Sequence, residues 1–188
     1  MLRSMPKPFT LAVFGFKNSG KTSLVEWLVS NLVKEGFKVA TFKHIHHPGF
    51  TIDTKGTDTW RHAKAGANPV VSVSDGEVAL ILKRPTPMMG LSGLLTLIKG
   101  FDVDIVMFEG FHRVLGGSKE VYKILIARSQ QELENLIPET EQPIIALVAS
   151  FQPKPGLNLP APLIMSDNKQ VLLAIVKQAY LNYKAAKY

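Results

Sequence analysis

Gly15-Phe16-Lys17-Asn18-Ser19-Gly20-Lys21-Thr22 is a complete G-x-x-x-x-G-K-[ST] phosphate loop, and its flanks decide the fold. Thr10-Leu11-Ala12-Val13-Phe14 before it reads as an apolar strand. After it, Leu24, Leu28, Leu32 and Val33 mark one face of a helix at i, i+4, i+8 spacing. Strand, glycine turn and helix are the context in which this loop binds a nucleoside triphosphate. Gly15 and Gly20 permit backbone angles closed to other residues, so successive N–H groups can curl around a phosphate. Lys21 supplies a fixed positive charge and Thr22 offers a hydroxyl to Mg²⁺. The helix points the positive end of its dipole at the anion.

Beyond the loop, short β-branched runs alternate with helical stretches. This is the pattern of a three-layer α/β fold, a mostly parallel sheet covered on both faces. The first helix ends near Gly36, and Lys38–Phe42 is the second strand. Thr57-Asp58 can cap a short helix running to Gly66. Pro69–Val73 and Val78–Leu82 flank Asp75-Gly76, a hairpin signal that inserts an antiparallel pair into the parallel order. Leu91–Ile98 reads as helix, and Ile105–Phe108, Tyr122–Ala127 and Ile144–Ala149 as strands. The stretch 153–162 is loop, and a last helix runs from Ser166 to about Tyr183.

The 188 residues suit one nucleotide-binding domain, with residues 1–9 expected as a flexible tail that lacks the apolar run of a signal peptide. With no cysteine there is no disulfide scaffold and no thiolate metal site. No apolar stretch approaches the roughly eighteen residues of a membrane span, so a cytoplasmic protein is expected. The net charge of +7 favours anionic partners. Its lysines and arginines are scattered without interleaved aromatics, which argues against nucleic acid.

Ligands of nucleotide-binding α/β proteins lie beyond the carboxyl ends of the strands. Glu109, closing the strand Ile105–Phe108, is therefore the expected Mg²⁺ carboxylate, its alternative being an exposed loop acid. Asp102 and Asp104 are expected at the far end of that strand. Asp53 is read either as a carboxylate serving Mg²⁺ or an attacking water, or as a turn aspartate. His44, His46 and His47, three of the five histidines, could hold Zn²⁺ or Ni²⁺, or could face phosphate or solvent. Arg61, His62 and Lys64 face either an anionic substrate or water.

These residues carry a resemblance. The loop Gly15–Thr22, Lys43-His44 with His46-His47, Ile52-Asp53, Gly56–His62 with Ala65-Gly66-Ala67, and Asp104–Phe111 together resemble the molybdopterin-guanine dinucleotide biosynthesis protein B family, over about residues 10–128 in consistent order. The resemblance implies a P-loop GTPase-like fold, Mg-GTP as ligand and a homodimer involving the hairpin. It also implies an adapter role beside the guanylyltransferase that attaches GMP to molybdopterin. Carried over by position, Gly15, Asn18, Ser19, Gly20, Lys21, Thr22 and Ser23 would hold phosphates. Thr22 and Glu109, with Asp53, would serve Mg²⁺, and Lys21, Asp53 and Glu109 would form the catalytic set. The chain lacks an Asn-Lys-x-Asp guanine sequence, because Asn168-Lys169 is followed by Gln170-Val171. GTP over ATP thus rests on the resemblance, with Ala149-Ser150 or Ser166-Asp167 as candidates for the base wall.

Fast phosphoryl transfer needs a positioned water and a cation such as an arginine finger. Arg61 and Arg113 could serve only if loop ordering or a partner brings them in, so hydrolysis is expected to be slow. Two other functions share the loop: a metal-delivery GTPase using His44, His46 and His47, and a small-molecule kinase. The latter would need an arginine-rich lid that the sequence does not show.

Overall fold

The structure, a computed structural model, describes residues 7–47, 49–83 and 89–187. Residues 1–6 of the expected tail lie outside the described residues, and residues 7–9 are not a flexible tail: Phe9 opens a buried strand and Tyr183 Oη donates to Lys7 O at 2.7 Å. The chain separates into two compact units, Met1–His44 with Gly90–Tyr188, and Ile45–Met89.

The first unit is built on β1 (Phe9–Phe14), whose six residues are all buried. α1 (Lys21–Lys34) and β2 (Val39–Lys43) follow it. The second unit contributes α2 (Asp58–Lys64) and the strands β3 (Val70–Val73) and β4 (Val78–Ile81). The first unit then resumes with α3 (Leu91–Thr96), β5 (Ile105–Glu109), α4 (His112–Leu115), β6 (Tyr122–Ala127), α5 (Gln130–Leu136), β7 (Ile144–Ala149), β8 (Leu163–Met165) and α6 (Lys169–Ala185).

Six strands form one parallel sheet in the order β2-β5-β1-β6-β7-β8. The central strands are near-continuous apolar runs because both faces are covered. Alternate side chains point to opposite layers. Phe9, Leu11 and Val13 join Ile105, Met107, Ile124 and Val148 under α1 (Leu24, Leu28, Leu32) and α6 (Leu172, Leu173, Val176). Ala12, Phe14, Phe108 and Leu125 are buried on the other side, where Phe14 meets the His112 ring of α4 edge-on at 5.0 Å. The buried stripe of α1 includes Val25, while Val33 is exposed, contrary to the face read from the sequence.

The expected hairpin forms, as a two-stranded sheet of its own. Val73 pairs with Val78, and Ser74 N donates to Glu77 O at 2.8 Å, leaving Asp75-Gly76 as the two-residue turn. Thr57 caps α2, its hydroxyl accepting from Trp60 N. Three elements were not anticipated: α4, α5 and β8. α6 also starts three residues later than expected, because Ser166 and Asp167 form a turn closed by Asn168 N donating to Met165 O.

Candidate functional site

The loop after β1 turns tightly enough that its glycines are obligatory. Gly20 caps α1 in the left-handed region at φ 92°, and Asn18 takes φ 63°. At Gly15 a Cβ would lie 2.5 Å from the Ile126 carbonyl oxygen and 2.6 Å from Ser19 Oγ. The Ser19 hydroxyl is buried and finds no hydrogen-bond partner among the described residues. A buried hydroxyl in that condition is costly unless a ligand completes it. Above it lie the first-turn N–H groups of α1, which have no intrahelical acceptor.

Lys21 Nζ donates to the carbonyls of Gly15 at 3.0 Å and Phe16 at 2.6 Å, so it folds back along its own loop. Burial pushes its pKa below the ordinary lysine value, and Glu109 pulls the other way. Thr22 Oγ1 donates to Glu109 Oε1 at 2.6 Å. Glu109 is buried at the carboxyl end of β5, opposite Val13 on one side and Lys43 on the other. It is therefore no exposed loop acid, and threonine hydroxyl plus carboxylate is a hard-oxygen pair of the kind Mg²⁺ takes alongside water and phosphate.

Sequence reasoning missed Lys43 as a site residue. It closes β2, and its Nζ donates to Glu109 Oε1 at 2.6 Å and to Thr22 Oγ1 at 3.0 Å. The signal is the parallel register that sets Lys43 beside Glu109, and that register exists only once the sheet order is known. The next residue, His44, donates its N–H to Glu109 O at 2.9 Å, and its ring lies 5.2 Å from Phe111. Phe111 is buried with φ 63°, a left-handed conformation that costs a non-glycine residue about 1–3 kcal/mol and collects at functional sites.

Asp102 and Asp104 lie at the opposite end of β5, where Asp104 Oδ2 accepts from Lys38 N at 3.0 Å and Asp102 pairs with Lys38 Nζ. A cavity of about 960 Å³ also lies at that end, lined by Lys7, Phe101, Asp104 and Glu120. The two stretches named for the base wall are neighbours, because Ser166 N donates to Ala149 O at 2.8 Å across the ends of β7 and β8.

Asp53 belongs to the second unit. There its Oδ1 accepts from Thr59 Oγ1 at 2.8 Å and Thr57 Oγ1 at 3.1 Å, which ties the loop to the start of α2. Its other oxygen is buried and unpartnered among the described residues. Arg61 reaches Asp58 at 3.5 Å. Among the described residues no three His, Asp or Glu side chains are gathered to hold a metal, the histidines of 44–47 included. Among the described residues no helix is long and apolar enough to cross a membrane.

A family model described as molybdopterin guanine dinucleotide synthesis protein B matches residues 10–150. The chain is 31% identical over 144 residues to a molybdopterin-guanine dinucleotide biosynthesis adapter protein of Haemophilus influenzae, covering 75% of this chain and 74% of the relative. It is 30% identical over 136 residues to a probable adapter protein of the same name from Bacillus subtilis, covering 71% and 73%. The crystal structure of Bacillus subtilis MobB superposes with a TM-score of 0.71 at 25% identity, over 92% of this chain and 97% of that one.

Proposed function

This chain belongs to the molybdopterin guanine dinucleotide synthesis protein B family, and we propose that it acts there as an adapter that binds Mg-GTP and assists the guanylyltransferase joining GMP to molybdopterin. The observation that carries the nucleotide part is the Thr22–Glu109 hydrogen bond at the mouth of the phosphate loop. It brings the two expected metal ligands together from elements 87 residues apart. Lys21 and the loop N–H groups, with Asn18, Ser19 and Ser23, would cradle the phosphates. Thr22 and Glu109 would hold Mg²⁺, which when bound supplies positive charge to the β- and γ-phosphates. By the resemblance alone, Asp53 would serve that metal or its water. Hydrolysis is slow in this reading, below about once per second, because Arg61 and Arg113 would supply the needed cation only if loop ordering or a partner brought them in.

The adapter part needs a protein surface, and the hairpin offers one. Val71, Val73, Val78 and Leu80 are all exposed, and the register sets them on one face. A second copy of the chain, paired hairpin to hairpin, would cover that face.

Calorimetric titration with Mg-GTP and with Mg-ATP, repeated in the presence of purified molybdopterin, tests the reading. The expected result is preference for GTP together with binding of the pterin, with nucleotide binding weakened or lost in Lys21→Ala. A preference for ATP, or nucleotide binding with no response to the pterin, would overturn it.

A further inference from the structure

Three polar groups converge at the end of β5: the Thr22 hydroxyl, the Glu109 carboxylate and the Lys43 ammonium. The ammonium is bonded to the same two oxygens that would take Mg²⁺. Lys21, on the phosphate loop itself, is engaged with the Gly15 and Phe16 carbonyls. Of the two, Lys43 therefore makes the direct ion pair with Glu109 in the nucleotide-free protein, while Lys21 acts on it only through space. Its side chain is half exposed on an edge strand, while the Glu109 side chain is almost fully buried. The lysine can swing out into water at small cost, and the carboxylate cannot follow it.

We propose that Lys43 is a stand-in cation for the metal: it neutralises Glu109 until Mg²⁺ displaces it, and so makes nucleotide binding far less dependent on Mg²⁺ than the carboxylate alone would allow. This inference rests on the nucleotide reading above. A triphosphate arriving without metal meets the buried Glu109 charge. With Lys43 in place that charge is covered, and the polyphosphate is not repelled. With Mg²⁺ present, Thr22 and Glu109 would hold the metal and the ammonium would be released into water. Part of the metal's gain is then consumed in breaking two lysine hydrogen bonds, so the coupling between metal and nucleotide is blunted.

The quantity to measure is that coupling, the ratio of the GTP dissociation constant in EDTA to that in excess Mg²⁺, by calorimetry or with a fluorescent GTP analogue. Lys43→Met keeps the aliphatic stem and removes the cation. It should raise the ratio at least about tenfold, chiefly by weakening metal-free binding, since one uncovered like charge about 4 Å from a phosphate charge would be worth more than that at an effective dielectric of about 20. Lys43→Arg should leave the ratio near the wild-type value. In the Glu109→Gln background there is no charge to cover, and Lys43→Met should change the ratio less than about threefold. Lys34→Met serves as the control for general loss of positive charge, because Lys34 is exposed in the last turn of α1, at the far end of that helix from the loop.

An unchanged ratio in Lys43→Met would overturn the proposal. So would an effect that persists undiminished with Glu109→Gln, because Lys43 would then be an ordinary phosphate ligand. Wild-type protein that binds no GTP even in Mg²⁺ overturns both this inference and the reading it rests on, whereas GTP binding with unchanged coupling overturns this inference alone.

Discussion

Replacing Gly15 by alanine should remove nucleotide binding from a protein that still folds. The added Cβ would lie 2.5 Å from the Ile126 carbonyl oxygen, 2.6 Å from Ser19 Oγ and 2.9 Å from Ile126 Cγ2. Reaching ordinary contact requires the loop and β6 to part by about 0.9 Å, and overpacking of that size costs roughly 1–3 kcal/mol of stability. β6 is hydrogen-bonded between β1 and β7, so the loop is the part that yields. A loop N–H set about 2.9 Å from a phosphate oxygen would then stand near 3.8 Å, outside hydrogen-bonding range. Losing two such charge-assisted bonds at about 1.5–3 kcal/mol each weakens binding by about 3–6 kcal/mol, or roughly 10²- to 10⁴-fold. The assay is calorimetry with Mg-GTP, alongside a thermal melt to confirm folding. Gly117→Ala is the matched control, since a Cβ there meets nothing within 4 Å. GTP affinity in Gly15→Ala within about threefold of wild type would refute the argument that close approach of the loop to β6 shapes the phosphate cradle.

Lys123 is fully buried, and its Nζ donates to Ser118 O at 2.5 Å and Glu141 O at 2.7 Å. Lys123→Met should lower the unfolding free energy by about 2–4 kcal/mol in urea titrations, the cost of stranding those carbonyls; equal stability would show that the lysine holds nothing. Burial keeps the His112 imidazole below its ordinary pKa against the opposing pull of Glu139. As pH falls through about 6.5 the unfolded chain binds a proton that the folded chain resists, so this contribution is present above that pH and lost progressively below it. His112→Gln should flatten the stability profile between about pH 7.5 and 5.5, and superimposable profiles would sink the assignment. Val73→Asp with Val78→Asp should convert a hairpin-mediated dimer to monomer in sedimentation velocity, whereas a monomeric wild type at high protein concentration would remove the hairpin from the dimer.

Much of the fold was legible because its signals are local. The phosphate loop, the apolar runs of β1, β5, β6 and β7, the Asp-Gly turn and the Thr57 cap each declare themselves within a few residues. β8 did not, because three residues after a proline-rich loop show no periodicity. α5 offers only Leu133 and Leu136 to the core, yet it carried a readable sign. Ser129 and Glu132 form a capping pair, with Ser129 Oγ accepting from Glu132 N at 3.3 Å and Glu132 Oε2 from Arg128 N at 2.8 Å. Val33 was misplaced because the run Leu24, Leu28, Leu32 advances by four residues, which drifts around a helix of 3.6 residues per turn and brings Val25 into the buried stripe instead.

The site divides along the same line between local and non-local. Gly15, Lys21 and Thr22 are specified by one octapeptide, and Glu109 by the rule that ligands gather at strand ends. Lys43 follows from neither. Lys43-His44 marks the resemblance, but nothing within β2 gives its terminal lysine a role apart from the scattered basic residues of a chain with a net charge of +7. Its significance arises because β2 pairs with β5 and not with β1, a choice made 66 residues further along the chain. The insertion of β5 between the first two strands puts the carboxylate within reach of both the loop threonine and the β2 lysine. A β2–β1 pairing would set Lys43 beside the loop and away from its counter-charge. The strand order thus does more than support the phosphate loop: it sets a cation on the Thr22 and Glu109 oxygens to which the proposal assigns Mg²⁺.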